Sequence, residues 1–251
     1  MKTRTLILIL LISSLCVACG KKKTEKSPEV VFVPTTPCYI TADSVNIRKS
    51  PSVDSESLEK LNTGDFINII TKSFSGRQEI VKGIKGIWLE VDKPGEKCVY
   101  VFSKFVKKEE DLFKRGDVAD EEMPGRKFEY GLECTGSTAS EYSMHYSFLS
   151  DNRVELSGSF MDSENETASI DVRIEGYYQK LGKLLFVQFE KEITIGGQDA
   201  GEKTINRQVV LLLEECTKEG HSHWIMNEVK DSEGLSTQSG NQEMNWVEQN
   251  I

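Results

Sequence analysis

Cysteine is the residue type with the widest chemistry in this chain, because a thiolate can attack a substrate, bind a metal ion or form a disulfide. The chain has six of them, at Cys16, Cys19, Cys38, Cys98, Cys134 and Cys216. None of the last four belongs to a Cys-x-x-Cys metal or redox pair. Their chemistry therefore depends on the compartment in which the protein folds.

The first two cysteines lie at the end of an export signal. A positively charged start precedes an apolar core that is too short to span a bilayer. The segment that follows, Leu15-Cys-Val-Ala-Cys-Gly20, resembles the lipobox of bacterial lipoproteins, as in spirochaete-type envelope lipoproteins, with Cys16 where leucine is usual. The resemblance implies cleavage after Ala18 and acylation of Cys19, palmitate included. The alternative is an ordinary secretory signal cut at the same place.

Residues 1–18 are thus predicted to be a lipoprotein signal peptide. Residues 19–37 are polar and contain prolines, which makes a poor core, so we expect a tether. A lipid-anchored protein of the bacterial cell envelope follows, with the outer membrane as its expected site. The membrane, reached through the lipid, is the first expected partner.

Four cysteines remain in the exported chain, and an even number in that setting predicts disulfides. Three pairings are possible. We expect Cys38 to pair with Cys98 and Cys134 with Cys216, because each bridge then closes within one predicted domain. A bridge around a loop of about 60 residues stabilises a fold by around 4 kcal/mol.

The remaining candidates for catalysis or metal binding are few. His221 and His223 could share one side of a strand with His145 as a remote third, but zinc or copper needs three or four ligands. Asp162–Glu166 alternates carboxylates and could hold calcium weakly, and a solvated hairpin tip is the simpler interpretation. Gly-x-Ser-x-Gly and His-Glu-x-x-His motifs are absent from the sequence. We therefore predict no catalytic residue, no metal site and no cofactor.

The overall composition is that of an ordinary globular chain. Of 251 residues, 38% are hydrophobic and 28% are charged. A formal net charge of −9 argues against a nucleic-acid partner, because a phosphate backbone must be met by clustered lysines and arginines. The length suits one large domain or two small ones.

The first domain is predicted to cover residues 38–107. Apolar residues alternate along Val45–Arg48, Phe66–Ile70 and Ile87–Val91, as in half-buried strands. Ser50-Pro51 and the segment 62–65 supply turns. Several short strands within roughly 70 residues predict a small barrel, since a lone sheet would leave its edges uncovered.

The same residues resemble the bacterial SH3-like (SH3b) domains of exported envelope proteins. Val45–Arg48 with Pro51 is similar to that family's Leu-Asn-Val-Arg-x-x-Pro opening. Trp88–Val91 is similar to its Trp-x-x-Val strand, and Tyr100-Val101 to its closing Trp-Val pair. The connection from residue 71 to residue 86 is longer than is usual in the family.

The resemblance implies a binding module, of a kind that often recognises cell-wall peptides. It implies a shallow groove lined by Tyr39, Arg48, Trp88 and Tyr100, with aromatic contact area and an arginine for a carboxylate. The alternative places Trp88 and Tyr100 in the core and gives Arg48 a structural bond. Strict alternation points Trp88 away from Leu89, which favours an exposed ring.

Residues 108–126 are acidic and irregular, and we expect a linker that can include a short helix from Lys108 to Lys114. Residues 127–251 resume a strand pattern, with a tight hairpin at Tyr178–Leu184 and a last strand near Trp246. The other strands are predicted at Phe128–Cys134, Tyr142–Leu149, Arg153–Phe160, Ala168–Tyr178, Lys183–Phe189, Gln208–Glu215 and His223–Val229. Their meander order predicts a lipocalin-like up-and-down barrel.

The predicted fold is therefore all-β: an SH3-like small barrel followed by a second antiparallel β-barrel. The function predicted from the sequence is a non-catalytic binding module on an anchored lipoprotein, whose partner is a peptidoglycan peptide or an envelope protein. One alternative is a carrier of a small ligand in the second barrel, which needs a hollow apolar interior. The other is an accessory subunit or enzyme of cell-wall turnover, which needs an activated cysteine or a metal cluster.

Overall fold

A computed structural model describes residues 34–93, 95–116, 120–132, 143–161, 169–197, 200–218, 221–231 and 244–248. Contacts group the chain from Pro34 to Ile251 into one compact unit. The predicted signal peptide, Cys19 and most of the tether lie outside the described residues, as do Cys134 and the segment Asp162–Glu166. None of the helices in the described part of the chain has the length and apolar character needed to span a bilayer.

Nine strands form the first half of the described chain. They are β1 (Thr35–Ile40), β2 (Val45–Arg48), β3 (Ser57–Leu61), β4 (Phe66–Ile70), β5 (Glu79–Val81), β6 (Ile84–Gly86), β7 (Trp88–Lys93), β8 (Glu96–Phe102) and β9 (Val106–Lys108). Seven of them make one antiparallel sheet in the order β3-β2-β8-β7-β4-β1-β9, and β5 pairs only with β6.

The sheet coils around a core supplied by alternate residues of its strands. Along β2, Val45 and Ile47 are buried, and along β4 Ile67 and Ile69 are buried. One cluster joins these residues to buried positions on β1, β7 and β8. The period-two pattern predicted these strands because every second side chain of a strand points to the same face. Strand β1 begins at Thr35, so the predicted tether ends before residue 37.

The long connection between β4 and β7 has structure of its own. A 3-10 turn covers Thr71–Ser75, and the hairpin of β5 and β6 follows it. Lys82 and Gly83 form the tip of the hairpin, both with positive φ, as a two-residue turn of this kind requires. We call residues 71–86 the basic insertion because of its charge.

The second half of the chain is a closed eight-stranded barrel. Its strands are β10 (Lys127–Leu132), β11 (Ser143–Phe148), β12 (Arg153–Met161), β13 (Ser169–Leu181), β14 (Leu184–Ile195), β15 (Gly201–Lys218), β16 (His221–Asp231) and β17 (Met244–Glu248). Each strand pairs antiparallel with the next, and β17 closes the barrel against β10. The predicted all-β fold and the antiparallel meander barrel are confirmed.

Two local features shape this barrel. The tight hairpin between β13 and β14 turns at Gly182, with Leu181 opposite Leu184, as the sequence predicted. A bulge interrupts the same strand pair after Glu175. Gly176 lies at that bulge, where an added Cβ would stand 2.1 Å from the carbonyl oxygen of Gln188, so only glycine fits.

Large aromatic side chains fill the barrel at the end where β10 begins. The rings of Tyr146 and Trp246 meet edge-to-face with centroids 4.5 Å apart, and Met123 from the preceding segment is fully buried beside them. Tyr178 is also fully buried, and burial raises the pKa of its hydroxyl. The aromatic cluster consists of Phe128, Tyr146, Phe148, Tyr178, Phe189 and Trp246. At this end of the barrel, packed aromatic side chains occupy the interior that a carrier would need for a ligand.

The two β units are packed against each other. A short helix, α1 (Glu109–Leu112), lies at the contact, within the segment predicted to be a linker. Leu112 and Phe113 are buried in one cluster with Tyr39 from β1 and Phe186 from β14. The predicted linker is thus in part an interface segment, and the short helix that the sequence allowed is present.

Polar bonds reinforce that contact. The Tyr39 hydroxyl donates to Oε1 of Glu109 across 3.5 Å, and Nζ of Lys230 on the second barrel approaches the same oxygen at 2.8 Å. Nζ of Lys107 donates to Oε1 of Gln179 at 2.7 Å. These bonds link the first unit, α1 and the second barrel directly.

The predicted bridge between Cys38 and Cys98 is wrong, because both are free thiols. Cys38 is buried on β1, which pairs with β4 and β9, whereas Cys98 is exposed on β8, which β7 and β4 separate from β1 in the sheet. A disulfide needs Cα atoms within about 7 Å and converging Cβ atoms. Cys216 is disulfide-bonded, and since its predicted partner Cys134 lies outside the described residues, that pairing stays a prediction.

Candidate binding groove

The candidate site lies on the outer face of the first sheet. Along β7, Leu89 and Val91 are buried in the core, so Trp88 and Glu90 point to the opposite face. Trp88 is half-buried there. This is the direction that strict alternation predicted for Trp88, and it removes the ring from the sheet core.

Cross-strand pairing brings other side chains to the same face. Trp88 lies opposite Phe102 on β8, and Glu90 lies opposite Tyr100. Tyr100 in turn lies opposite Arg48 on β2. Directly opposed residues of an antiparallel pair share one face of the sheet. Three of the four predicted groove residues, Arg48, Trp88 and Tyr100, are therefore on one surface.

Aromatic rings form the floor of a groove on this surface. The rings of Trp88 and Phe102 meet edge-to-face with centroids 5.3 Å apart, and those of Phe102 and Phe105 lie 6.5 Å apart. Phe102 is only 6% exposed, although it faces away from the sheet core. It is covered by the neighbouring elements, which means that the groove has walls.

The hairpin of the basic insertion is the first wall. Nε1 of Trp88 donates a hydrogen bond to Oε2 of Glu79 at 3.0 Å, which ties the indole to the hairpin. Gly86 lies so close to the Phe102 ring that an added Cβ would stand 2.6 Å from it. Val81 and Ile84 are opposed in the hairpin and line the groove.

The loop between β2 and β3 is the second wall. Nη1 of Arg48 donates to the carbonyl oxygen of Ser55 across 2.6 Å, and Val53 in the same loop lines the groove. Arg48 thus has the structural role that was the alternative to ligand binding. A guanidinium carries five N–H donors, so one bond to a carbonyl leaves others directed elsewhere.

The groove encloses about 220 Å³. Its lining combines aromatic and aliphatic side chains with two cations, Arg48 and Lys82, and none of the described lining residues is acidic. Such a surface suits an apolar side chain that is followed by an anionic group, because the cations meet a carboxylate where the apolar floor ends.

Tyr100 stands beside the groove and does not line it. Burial raises the pKa of its hydroxyl, and the nearby carboxylate of Glu90 and the thiol of Cys98 add to the rise. Tyr100 can contact only a ligand that extends past Arg48 along the outer face of the sheet.

Tyr39 is not a groove residue, which corrects the expectation from the sequence. Its ring is 8% exposed and meets Phe66 and Phe186 edge-to-face, at centroid distances of 5.3 and 4.9 Å. Burial raises the pKa of its hydroxyl to about 12, with Glu109 as the second cause. Tyr39 is occupied by the contact between the two β units.

Other chemistry-bearing groups in the described chain do not assemble into a site. Nε2 of His145 lies 3.0 Å from Oγ of Ser157, and the side chains of His221 and His223 lie outside the described set. No group of three histidines, cysteines or carboxylates in the described residues could hold a metal ion. A larger cleft of about 1030 Å³ lies beside α1, with lysines and carboxylates intermixed along its lining.

Sequence reasoning missed the wall that the basic insertion supplies. Val81 and Ile84 are β-branched residues, and they flank the two-residue turn Lys82-Gly83. That pattern is a hairpin signal and could have been found.

Comparison of the chain with protein-family models, with curated proteins and with solved structures finds no match.

Proposed function

We propose that this protein is a lipid-anchored envelope lipoprotein whose first β unit is a non-catalytic binding module. The export signal that ends at Cys19 supports the anchor. The groove between Trp88, Phe102 and the β5–β6 hairpin supports the module, and it is the observation on which the proposal depends.

The ligand we propose is a segment of peptide, from the cell wall or from an envelope protein. A volume of about 220 Å³ is below the 300–1,000 Å³ typical of sites for whole small molecules, so the groove takes one or two side chains of a longer ligand. The aromatic floor holds an apolar side chain, and Arg48 with Lys82 holds a neighbouring carboxylate.

The buried thiol of Cys38 is unsuited to cysteine catalysis. Burial raises the pKa of Cys38 to about 12, so its thiol is protonated at neutral pH, and the thiolate is the reactive form. The thiol is also fully enclosed by the sheet core, out of reach of a substrate.

The experiment that tests the module uses the compact unit, residues 34–251, and soluble disaccharide-peptide fragments of the cell wall. We expect the fragments to shift the amide NMR signals of Trp88 and its neighbours. Trp88→Ala should weaken binding by roughly thirtyfold, as at an interface hot spot, with little change in melting temperature because the ring is outside the sheet core.

Trp224→Ala is the matched control, because Trp224 is a partly exposed tryptophan on the second barrel, 37% exposed. It should leave fragment binding unchanged. A Trp88→Ala protein that melts far earlier would show that the ring is structural. Fragments that bind wild type and Trp88→Ala equally would end the case for this groove.

The anchor has its own test in the full-length chain. Cys19→Ala should move the protein from the detergent phase to the aqueous phase after detergent partitioning, because the acylated residue is lost. A variant that stays in the detergent phase contradicts the proposed lipid anchor.

A further inference from the structure

The basic insertion differs in charge from the rest of the chain. Residues 71–86 contain Lys72, Arg77, Lys82 and Lys85 against the single acid Glu79, a net charge of 4 − 1 = +3. The whole chain carries −9, so all other residues together carry −9 − 3 = −12. A concentration of positive charge on an acidic protein indicates a surface for an anionic partner.

These four cations are available for such a partner. All four are exposed, and none forms an ion pair with a described residue, although Lys82 also lines the groove and is shared with it. On the seven-stranded sheet, by contrast, Lys93 is held by Glu59 at 2.8 Å and by Glu96 at 3.0 Å. The charge of the insertion is therefore not neutralised within the part of the molecule that the structure describes.

An exposed apolar side chain accompanies the charge. Ile80 is 75% exposed, more than any other large hydrophobic residue described. Glu79 and Val81 face Trp88 and the groove, so Ile80 and its cross-strand partner Lys85 face outward. An outward isoleucine opposite a lysine offers both apolar contact and positive charge to a lipid head-group layer.

The insertion also begins where the chain enters the compact unit. The backbone N–H of Thr71 donates to the carbonyl oxygen of Pro34 at 3.0 Å, and the hydroxyls of Thr36 and Thr71 lie 2.9 Å apart. Residues 20–33 separate Pro34 from Cys19, and a chain of that length spans at most roughly 50 Å. The insertion therefore starts beside the residue at which the predicted tether joins the compact unit.

We propose that the outward face of the β5–β6 hairpin, with Ile80 and Lys85 at its centre, docks on the anionic lipid surface to which the protein is anchored. Each basic residue at such a surface strengthens binding by about fivefold. The link to an anchor raises the local concentration of the surface to about the millimolar range, so a weak intrinsic affinity is enough. Val81 and Ile84 on the opposite face stay directed into the groove.

This inference extends the proposed function, and in the cell it rests on the proposed anchor. Its test does not use the anchor. Residues 34–251 are mixed with sedimenting vesicles of pure phosphatidylcholine, and with vesicles that contain about one third phosphatidylglycerol. We expect binding to the anionic vesicles alone, weakening as salt shortens the Debye length. Absence of binding, or equal binding to both vesicles, overturns the proposal. If neither vesicle binds, an acidic protein becomes the partner to test for this face.

Matched variants locate the contact. Lys85→Glu should reduce affinity for the anionic vesicles at least fivefold, whereas Lys127→Glu, the same charge change at an exposed position of the second barrel, should leave it nearly unchanged. Ile80→Ser should reduce it by about tenfold, and Val229→Ser, at a residue 54% exposed, should not. Equal losses within either pair overturn the assignment to this face.

The two proposals fail separately. Trp88→Ala tests the groove and should keep full vesicle binding, because its ring faces the other side of the hairpin. Ile80→Ser should keep wall-fragment binding. Fragment binding that survives Trp88→Ala contradicts the groove alone, and vesicle binding that survives Ile80→Ser contradicts the docking face alone.

Discussion

Cys38 and Cys98 carry the same thiol in opposite surroundings. Cys38 is fully buried, and burial raises its pKa to about 12, whereas Cys98 is exposed. We expect iodoacetamide to modify Cys98 in the native protein and Cys38 only after unfolding, because the accessible thiolate is the nucleophile. Mass spectrometry of peptides from native and denatured samples measures both. A Cys98 that reacts only after reduction would restore the bridge to Cys38.

Burial of Cys38 and Tyr39 also predicts how stability depends on pH. The pKa of each is raised to about 12, from ordinary values of 9.0 for the thiol and 10.0 for the phenol. Above pH 9 the unfolded chain therefore loses protons that the folded protein keeps, and unfolding is favoured. This stabilisation is complete below pH 9 and is lost as the pH rises towards 12.

We expect the melting temperature of residues 34–251 to fall between pH 9 and pH 12. The double variant Cys38→Ala, Tyr39→Phe should start from a lower melting temperature, because core atoms and the hydroxyl bond to Glu109 are lost. Its further decline with pH should be shallower than that of the wild type. Parallel declines in calorimetric scans would show that other groups set the alkaline limit.

Among the elements, the bulged pair of β13 and β14 depends on a single glycine. Gly176→Ala would bring a Cβ to 2.1 Å from a backbone oxygen, which the backbone must move to relieve. Overpacking of this kind destabilises a fold by about 1–3 kcal/mol. We expect a melting temperature several degrees lower for Gly176→Ala. Gly201→Ala is the control on the same barrel, because a Cβ there meets nothing within 4 Å, and a comparable loss in both would refute the close-approach argument.

The strands that the sequence predicted best are those with one buried face. On β2, β4 and β7 every second residue is buried, so the pattern in the sequence is the pattern of the core. β3 gave no such signal, because four of its five residues are exposed and it exists only through its pairing with β2. The polar outer ends of β14 and β15 extend those strands beyond their predicted bounds for the same reason.

The groove was predictable in part for a related reason. Alternation along β7 is a local property, and it placed Trp88 on the outer face correctly. Tyr39 was assigned to the groove, yet its neighbour is Phe186, about 150 residues further along the chain. Contacts between two separately patterned units leave no periodic signal in either one. The hairpin wall was missed because family resemblance treated residues 71–86 as an extended loop.

At the scale of the molecule, Phe186 couples the two β units. Its ring is fully buried outside the barrel and meets Tyr39 and Phe113 edge-to-face at 4.9 and 5.6 Å. Truncating a buried phenylalanine costs about 3–5 kcal/mol. We expect wild-type residues 34–251 to unfold in one calorimetric transition and Phe186→Ala to unfold in two.

Phe189 provides the comparison for that experiment. It lies on the same strand, β14, and is packed in the interior of the barrel. Phe189→Ala should lower the stability of the barrel without releasing the first sheet from it as a separate early transition. Two transitions in Phe189→Ala and one in Phe186→Ala would place the coupling elsewhere.

The closure of the barrel sets an order in time for a chain that is synthesised from its amino end. All pairings of the first sheet are available once residue 108 has emerged, whereas Phe128 must wait for Glu248 before β10 and β17 can pair. A contact between such distant residues forms late, because a long loop must close first. Until then β10 and β16 are open edges, which readily recruit strands from other chains. Pairing of the five residues of β17 with β10 and β16 therefore covers both open edges and ends this tendency to aggregate.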